Sequence, residues 1–422
     1  MLKGTVELIG DKSISHRAIM FSSIAKGTTR IKNFLMGQDC LSTIDCFRKM
    51  GVNIDINDKE VIVKGVGLRG LKKPNEILNV GNSGTTIRLM MGILAGNEFE
   101  STVIGDESIG KRPMKRVTDP LRLMGCSIKG NDDANFTPIT IYGGNLNGIE
   151  YKMPVASAQV KSSIILASLY ANSSSTIIEK SKSRNHTEIM LKSFGADIKS
   201  TDLKIDVQPV KELFSVENIN VAGDISSAAF IIAAASIVEG SEVLIKNVGL
   251  NETRTGIIDV LEAMNGNFEI IDKRVESGEV VGDLIVRYSD KLIGTTVDSN
   301  LIPRLIDEIP VIAILATQAN GTTVIKDAKE LKVKESNRIK AVVENLKNMG
   351  AEIEELEDGM VIKGKTKLKG ANIKTFNDHR IAMAFSVASL ISEGKLNLDN
   401  TACIDISFPG YFDLINNLLK QN

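Results

Sequence analysis

The residues best equipped for chemistry in this chain are Arg, Lys and a few carboxylates, gathered where helices should begin. The stretch GDKSISHR, Gly10 to Arg17, places Lys12, Arg17, hydroxyls and one of the chain's three histidines together. Ala18, Ile19, Phe21 and Ile24 then follow at helical spacing, which predicts a helix N-terminus at this point. Similar starts read GNSGTTIR, SAQVKS, DISSAA, IDEIP and NDHRIAM, and most carry Ser, Asp or Asn where an N-cap is needed. Capping does not account for Lys12, Arg17, Arg88, Gln159, Lys161 and Arg380 at the same places. A cation there opposes the helix macrodipole at a cost of a few tenths to about 1 kcal/mol. A bound anion would offset that cost, because free backbone N–H groups and guanidinium forks converge on it.

Other chemistries find less support. His16, His186 and His379 are isolated, and Cys40, Cys46, Cys126 and Cys403 form no CxxC pair, so neither a metal nor another cofactor is expected. The cysteines read as reduced thiols of a cytoplasmic protein. Lys plus Arg is 51 against 52 for Asp plus Glu, a net charge of −1, which argues against a nucleic-acid partner. The start MLKGTVELIGDK lacks the apolar stretch of a signal peptide, and no uncharged apolar run approaches 18 residues, so no membrane partner is expected.

The elements that must position these residues repeat. A helix of small and apolar residues is followed by a Gly-centred turn, a short β-branched strand, a second amphipathic helix and another strand. This order recurs six times at a period of roughly 70 residues, too long for a solenoid. The expectation is an α/β protein of six βαβα-type pseudo-repeats. Its 422 residues exceed one ordinary core and suggest two domains.

Taken in order, GDKSISHR, GNSGTTIR, KRPM (Lys111 to Met114), SAQVKS, SRNHTE, IDEIP, KESNR, NDHR and SFPGYF resemble the 5-enolpyruvylshikimate-3-phosphate synthases (3-phosphoshikimate 1-carboxyvinyltransferases) over essentially the whole chain. The resemblance implies a two-domain enolpyruvyl transferase fold with three repeats per domain. One domain would be discontinuous, 1–11 with 224–422, and the other 12–223, with the active site in the cleft between them. It implies transfer of the enolpyruvyl group of phosphoenolpyruvate to the 5-hydroxyl of 3-phosphoshikimate, by addition and elimination through a tetrahedral intermediate, with release of phosphate. These two small molecules are the implied partners, and the chain would act as a monomer.

The resemblance also implies roles. Lys12, Ser13, Arg17, Ser157, Gln159, Arg184, Asp307 and Lys334 would bind 3-phosphoshikimate. Lys12, Gly84, Arg112, Gln159, Arg338 and Arg380 would bind phosphoenolpyruvate. Asp307, Glu335 and Lys12 would be catalytic, Asp307 facing the attacked hydroxyl and Glu335 or Lys12 serving C3. Three positions depart from the commonest pattern: Asn337 for Asp, Ala158 in the Ala-Gln form, and Ile406 where other members carry a Lys. Gly84 leaves room for glyphosate, so competition with phosphoenolpyruvate is expected. The alternatives are the sister enzyme acting on UDP-N-acetylglucosamine and a non-catalytic anion-binding repeat protein. The first typically has a Cys near Glu107, which GDESIGKRPM lacks. Asp307, Glu335 and Lys12 together speak against the second.

Overall fold

The computed structural model describes residues 1–58 and 60–420. The chain divides into two compact units, Met1–Ile9 with Ala222–Asn422, and Gly10–Val221.

The repeat is βαβαββ. In the first copy the strand Lys26–Lys32 lies between a parallel edge strand, Asn218–Asn220, and the hairpin Asn53–Asn57/Glu60–Val66. The helices Lys12–Ser23 and Gln38–Lys49 belong to this copy. Four more copies have the same four-stranded order, with the hairpin's second strand always inside. The sequence pattern predicts the βαβα part; the hairpin completes it. The sixth copy is reduced to two parallel strands, Asn372–Ile373 and Asn397–Leu398, followed by a 3₁₀ turn, Ala402–Ile406, and the helix Tyr411–Lys420.

Each first helix begins as the sequence predicts. Asp11, Ser83, Ser157, Asp224 and Asp378 accept hydrogen bonds from backbone N–H groups of the first turn, whereas Glu308 caps its helix without one. The helices themselves are packed inward. In the unit Met1–Ile9 with Ala222–Asn422, Ile225–Ile237, Ile309–Gln318 and His379–Ser389 pack on one another, and every residue of Ile225–Ile237 is buried. Apolar side chains all round such a helix leave it no solvated face, which is why its sequence shows no amphipathic stripe.

The chain passes between the units twice, and both passages are built alike. Lys3–Glu7 is the edge strand of the sheet that continues with Glu242–Gly249, although the helix that follows it is Lys12–Ser23. Asn218–Asn220 is the edge strand beside Lys26–Lys32, although the helix that follows it is Ile225–Ile237. The two copies have exchanged their first strands. At each passage stands Gly-Asp. A Cβ on Gly10 would lie 1.9 Å from the Asn33 carbonyl oxygen, and one on Gly223 would lie 2.9 Å from that of Asn247. Only glycine tolerates these approaches. Asn33 and Asn247 themselves adopt left-handed backbone, with φ of 53° and 55°.

Candidate active site

In the unit Gly10–Val221 the cations near the helix starts bond hydroxyl, amide and carbonyl oxygens and, at Lys12, a carboxylate. Lys12 opens its helix and forms an ion pair with the buried Asp39. Half-buried Ser13 gives its carbonyl to Arg17 at 2.9 Å. Arg17 is 3% exposed and donates to Thr187 Oγ1 at 2.7 Å and Ser162 Oγ at 3.0 Å. Ser157 is the N-cap of Ala158–Ser168. Gln159 accepts from Arg88 at 2.6 Å and donates to Thr85 at 3.1 Å, tying two helix starts together. Arg112 donates to Ser108 at 3.1 Å and Asn82 at 3.4 Å. Gly84 is the first residue after the Ser83 cap, and a Cβ there would sit 3.1 Å from Arg88 Nη1 and 3.2 Å from Arg112 Nη1. Two guanidinium groups thus converge over a bare backbone. Arg184 is half-buried in the segment before the helix His186–Ser193.

Behind this surface runs a hydroxyl chain that the sequence does not announce. Thr86 Oγ1 donates to Ser83 Oγ at 2.6 Å. Its partner Thr43 Oγ1, 2.7 Å away, must then donate to it, and His16 Nδ1–H must donate to Thr43 at 2.7 Å. Burial, with Lys12 and Arg17 nearby, lowers the His16 pKa well below its ordinary 6.5, so the ring is neutral.

In the unit Met1–Ile9 with Ala222–Asn422 the cations meet carboxylates. Arg338, 1% exposed, opens the helix Arg338–Asn348. Its Nε and Nη2 bond both oxygens of Asp378 at 2.9 and 3.2 Å, Nη1 bonds Asp307 at 3.1 Å, and Nη2 bonds Glu335 at 2.6 Å. Four of five guanidinium N–H groups are so engaged. Burial works against the charge of Arg338, but Asp378, Glu335 and Asp307 raise its pKa. Burial likewise opposes ionisation of Asp378, yet Arg338 holds it below the usual carboxylate range. Lys334 is 3.2 Å from Asp307. Arg380 Nη1 donates to the Asp307 carbonyl at 3.5 Å and lies 3.8 Å from the buried Glu308.

Asp307, Lys334, Glu335, Arg338 and Arg380 thus form one cluster, with Asp378 at its base. Asp378 is the residue that sequence reasoning missed; its signal was its place as N-cap inside NDHR. Asn337 caps its helix by accepting from Lys340 N at 3.2 Å, so the Asp-to-Asn departure keeps the cap. Lys161 departs from the expectation of an anion-facing cation. It is 1% exposed and pairs inward with Glu179 and Glu188. Among the described residues no group of three or more His, Cys, Asp and Glu side chains is placed to hold a metal ion.

A family model for EPSP synthase (3-phosphoshikimate 1-carboxyvinyltransferase) matches residues 1–415. The chain belongs to the EPSP synthase family. The 3-phosphoshikimate 1-carboxyvinyltransferase of Oceanobacillus iheyensis is 54% identical over 419 residues, 99% of this chain and 97% of that one. The Bacillus subtilis (strain 168) protein of the same name is 52% identical over 422 residues, 100% of this chain and 98% of its own. Among solved structures, an EPSP synthase from Acinetobacter baumannii matches with a TM-score of 0.89 at 43% identity, covering 99% of this chain and 96% of that chain. The enolpyruvyl transferase NikO from Streptomyces tendae matches with a TM-score of 0.80 at 15% identity, covering 99% and 95%, and shares the fold. The six-repeat α/β architecture is therefore that of the EPSP synthase family.

Proposed function

We propose that the chain transfers the enolpyruvyl group of phosphoenolpyruvate to the 5-hydroxyl of 3-phosphoshikimate and releases phosphate. The observation that carries this reading is the family match over residues 1–415, with relatives 52–54% identical along their whole length. The division of charge supports the roles of individual residues. Both substrates carry a phosphate and a carboxylate. Lys12, Ser13, Arg17, Ser157, Gln159 and Arg184 hold 3-phosphoshikimate, and Lys12, Gly84, Arg112 and Gln159 hold phosphoenolpyruvate. Arg17, Arg88 and Arg112 suit this because hydroxyl, amide and carbonyl oxygens orient their guanidinium groups.

The other cluster supplies acid and base as well as charge. Asp307 receives the proton of the 5-hydroxyl as that oxygen attacks C2 of phosphoenolpyruvate. Glu335 and Lys12 serve C3, which gains a proton in the addition and loses it when phosphate leaves. Lys334 lies on the acceptor side beside Asp307. Arg338 has one N–H left for phosphoenolpyruvate, and its larger task is to fix Asp307 and Glu335 together. Arg380 completes the phosphoenolpyruvate set. Four buried thiols accord with a cytoplasmic setting. The deciding experiment is phosphate release with both substrates, with UDP-N-acetylglucosamine as control acceptor. Release with 3-phosphoshikimate alone supports the reading; release with the UDP-sugar, or with neither acceptor, overturns it.

A further inference from the structure

Lys161, Glu179 and Glu188 place one ammonium and two carboxylates in the interior of the unit Gly10–Val221. Their side chains are 1%, 2% and 4% exposed. Lys161 Nζ lies 3.0 Å from Glu179 and 2.8 Å from Glu188, and it donates to the Ser183 carbonyl at 3.3 Å. Ser183 in turn gives its backbone N–H to Glu179 at 3.1 Å, and its hydroxyl donates to the same oxygen. Taking three charges out of water costs several kcal/mol per ion before pairing, and apolar side chains of the same volume would often serve stability equally well. The cluster therefore calls for a reason other than stability.

Its neighbours along the chain supply one. Ser162 follows Lys161, and Thr187 precedes Glu188. The two hydroxyls are 2.6 Å apart, and both receive N–H groups of Arg17. The ion pair and the hydroxyl pair are successive rungs between the same two segments. Arg184 sits beside Ser183, on the stretch that Lys161 clamps from both sides.

We propose that Lys161, Glu179, Glu188 and Thr187 are positioning residues for the binding of the acceptor, 3-phosphoshikimate. They lock the segment 179–188 to the helix Ala158–Ser168 and so fix the plane of Arg17 and the place of Arg184. The inference rests on the reading of Arg17 and Arg184 as contacts to 3-phosphoshikimate. It separates the two substrates: a loosened segment 179–188 weakens the acceptor more than phosphoenolpyruvate, whose Gly84 and Arg112 stand on other elements and whose Lys12 and Gln159 bond Asp39, Arg88 and Thr85 outside that segment.

The test uses two sets of variants of the full chain. The first is the uncharged triple variant Lys161→Met/Glu179→Gln/Glu188→Gln. The second is Thr187→Val with Thr187→Ser as its conservative counterpart. Circular dichroism and thermal melting establish folding, and calorimetry and steady-state kinetics give the Kd of 3-phosphoshikimate and both KM values. The expected result is a rise in acceptor Kd and KM of about tenfold for the triple variant and for Thr187→Val, from loss of a charge-assisted hydrogen bond. The KM for phosphoenolpyruvate should stay within about twofold, and Thr187→Ser should restore the acceptor. If the triple variant does not fold, the Thr187 pair decides. Acceptor affinity equal to wild type in folded variants, or an equal rise in both KM values, overturns the inference. A wild type that neither binds nor turns over 3-phosphoshikimate overturns the functional reading instead.

Discussion

Glu335 stands ahead of the Asn337 cap rather than inside the helix, and its 2.6 Å bond to Arg338 aims it away from any dipole-stabilising role. Replacing it by Gln keeps the size and a hydrogen-bond acceptor. Ligand affinity should then stay within a few-fold while turnover falls by roughly 10²–10⁴, the range for loss of one acid or base. Turnover near wild type would reduce Glu335 to a structural partner of Arg338. His16 offers a different prediction. Its native pKa is lowered, first by burial and then by Lys12 and Arg17, so below pH 6.5 the unfolded chain binds a proton that the folded one does not. Stability should therefore fall as pH drops below 6.5, with this residue contributing at most about 1.4 kcal/mol per pH unit. Urea unfolding of wild type and His16→Gln measures it; parallel pH profiles would discount the residue. Lys12, Arg17 and Arg380 were legible from sequence because a cation at a helix start is locally misplaced. Lys161 shows the same local signal with an internal explanation, since its partners lie 18 and 27 residues away and no spacing rule reaches them.

The helices begin where capping residues dictate, and this was the most legible feature of the chain, since an N-cap is decided within four residues. The closing hairpins were less legible. Their strands are short, and pairs such as Asn53–Asn57 with Glu60–Val66 take their register from the turn and sheet together. At the helix Gly84–Ala95 the missing side chain has a measurable effect. A methyl at residue 84 would meet the ends of Arg88 and Arg112 and no backbone atom, so Gly84→Ala should fold normally while shifting both guanidinium groups by a few tenths of an ångström. Glyphosate, with a longer chain between its phosphonate and carboxylate than phosphoenolpyruvate has, needs that space more. The variant should lose roughly 1–3 kcal/mol of glyphosate binding, the usual cost of one misplaced methyl, and less for phosphoenolpyruvate. Inhibition constants against phosphoenolpyruvate for wild type and variant are the comparison. Equal constants would mean that this helix start does not limit ligand length.

At the scale of the whole molecule, the two units differ in how they depend on the chain's first residues. Leu2, Val6 and Leu8 are buried in the core built from Ala222 onward, at 0%, 8% and 4% exposure. Deleting residues 1–9 should remove up to about 1.5–3 kcal/mol for each. It also bares the edge of Glu242–Gly249, while Gly10–Val221 loses no strand. Limited proteolysis of the deletion variant should leave a resistant fragment spanning 10–221; its digestion at the same rate as the remainder would contradict this. The repeat count was legible because copies of one pattern reinforce one another, whereas the discontinuous domain was implied only by the resemblance, because Lys3–Glu7 and Asn218–Asn220 would pair acceptably with either sheet by local pattern alone. The exchange of first strands also sets a timetable for synthesis. Lys3–Glu7 leaves the ribosome early, but its partner strand begins at Glu242. At about 5–20 residues per second the opening strand waits roughly 10–50 s for its neighbour. Meanwhile Gly10–Val221 gains Asn218–Asn220 and can close first. The strand Lys3–Glu7 thus finds its neighbour only after the whole intervening unit has been made.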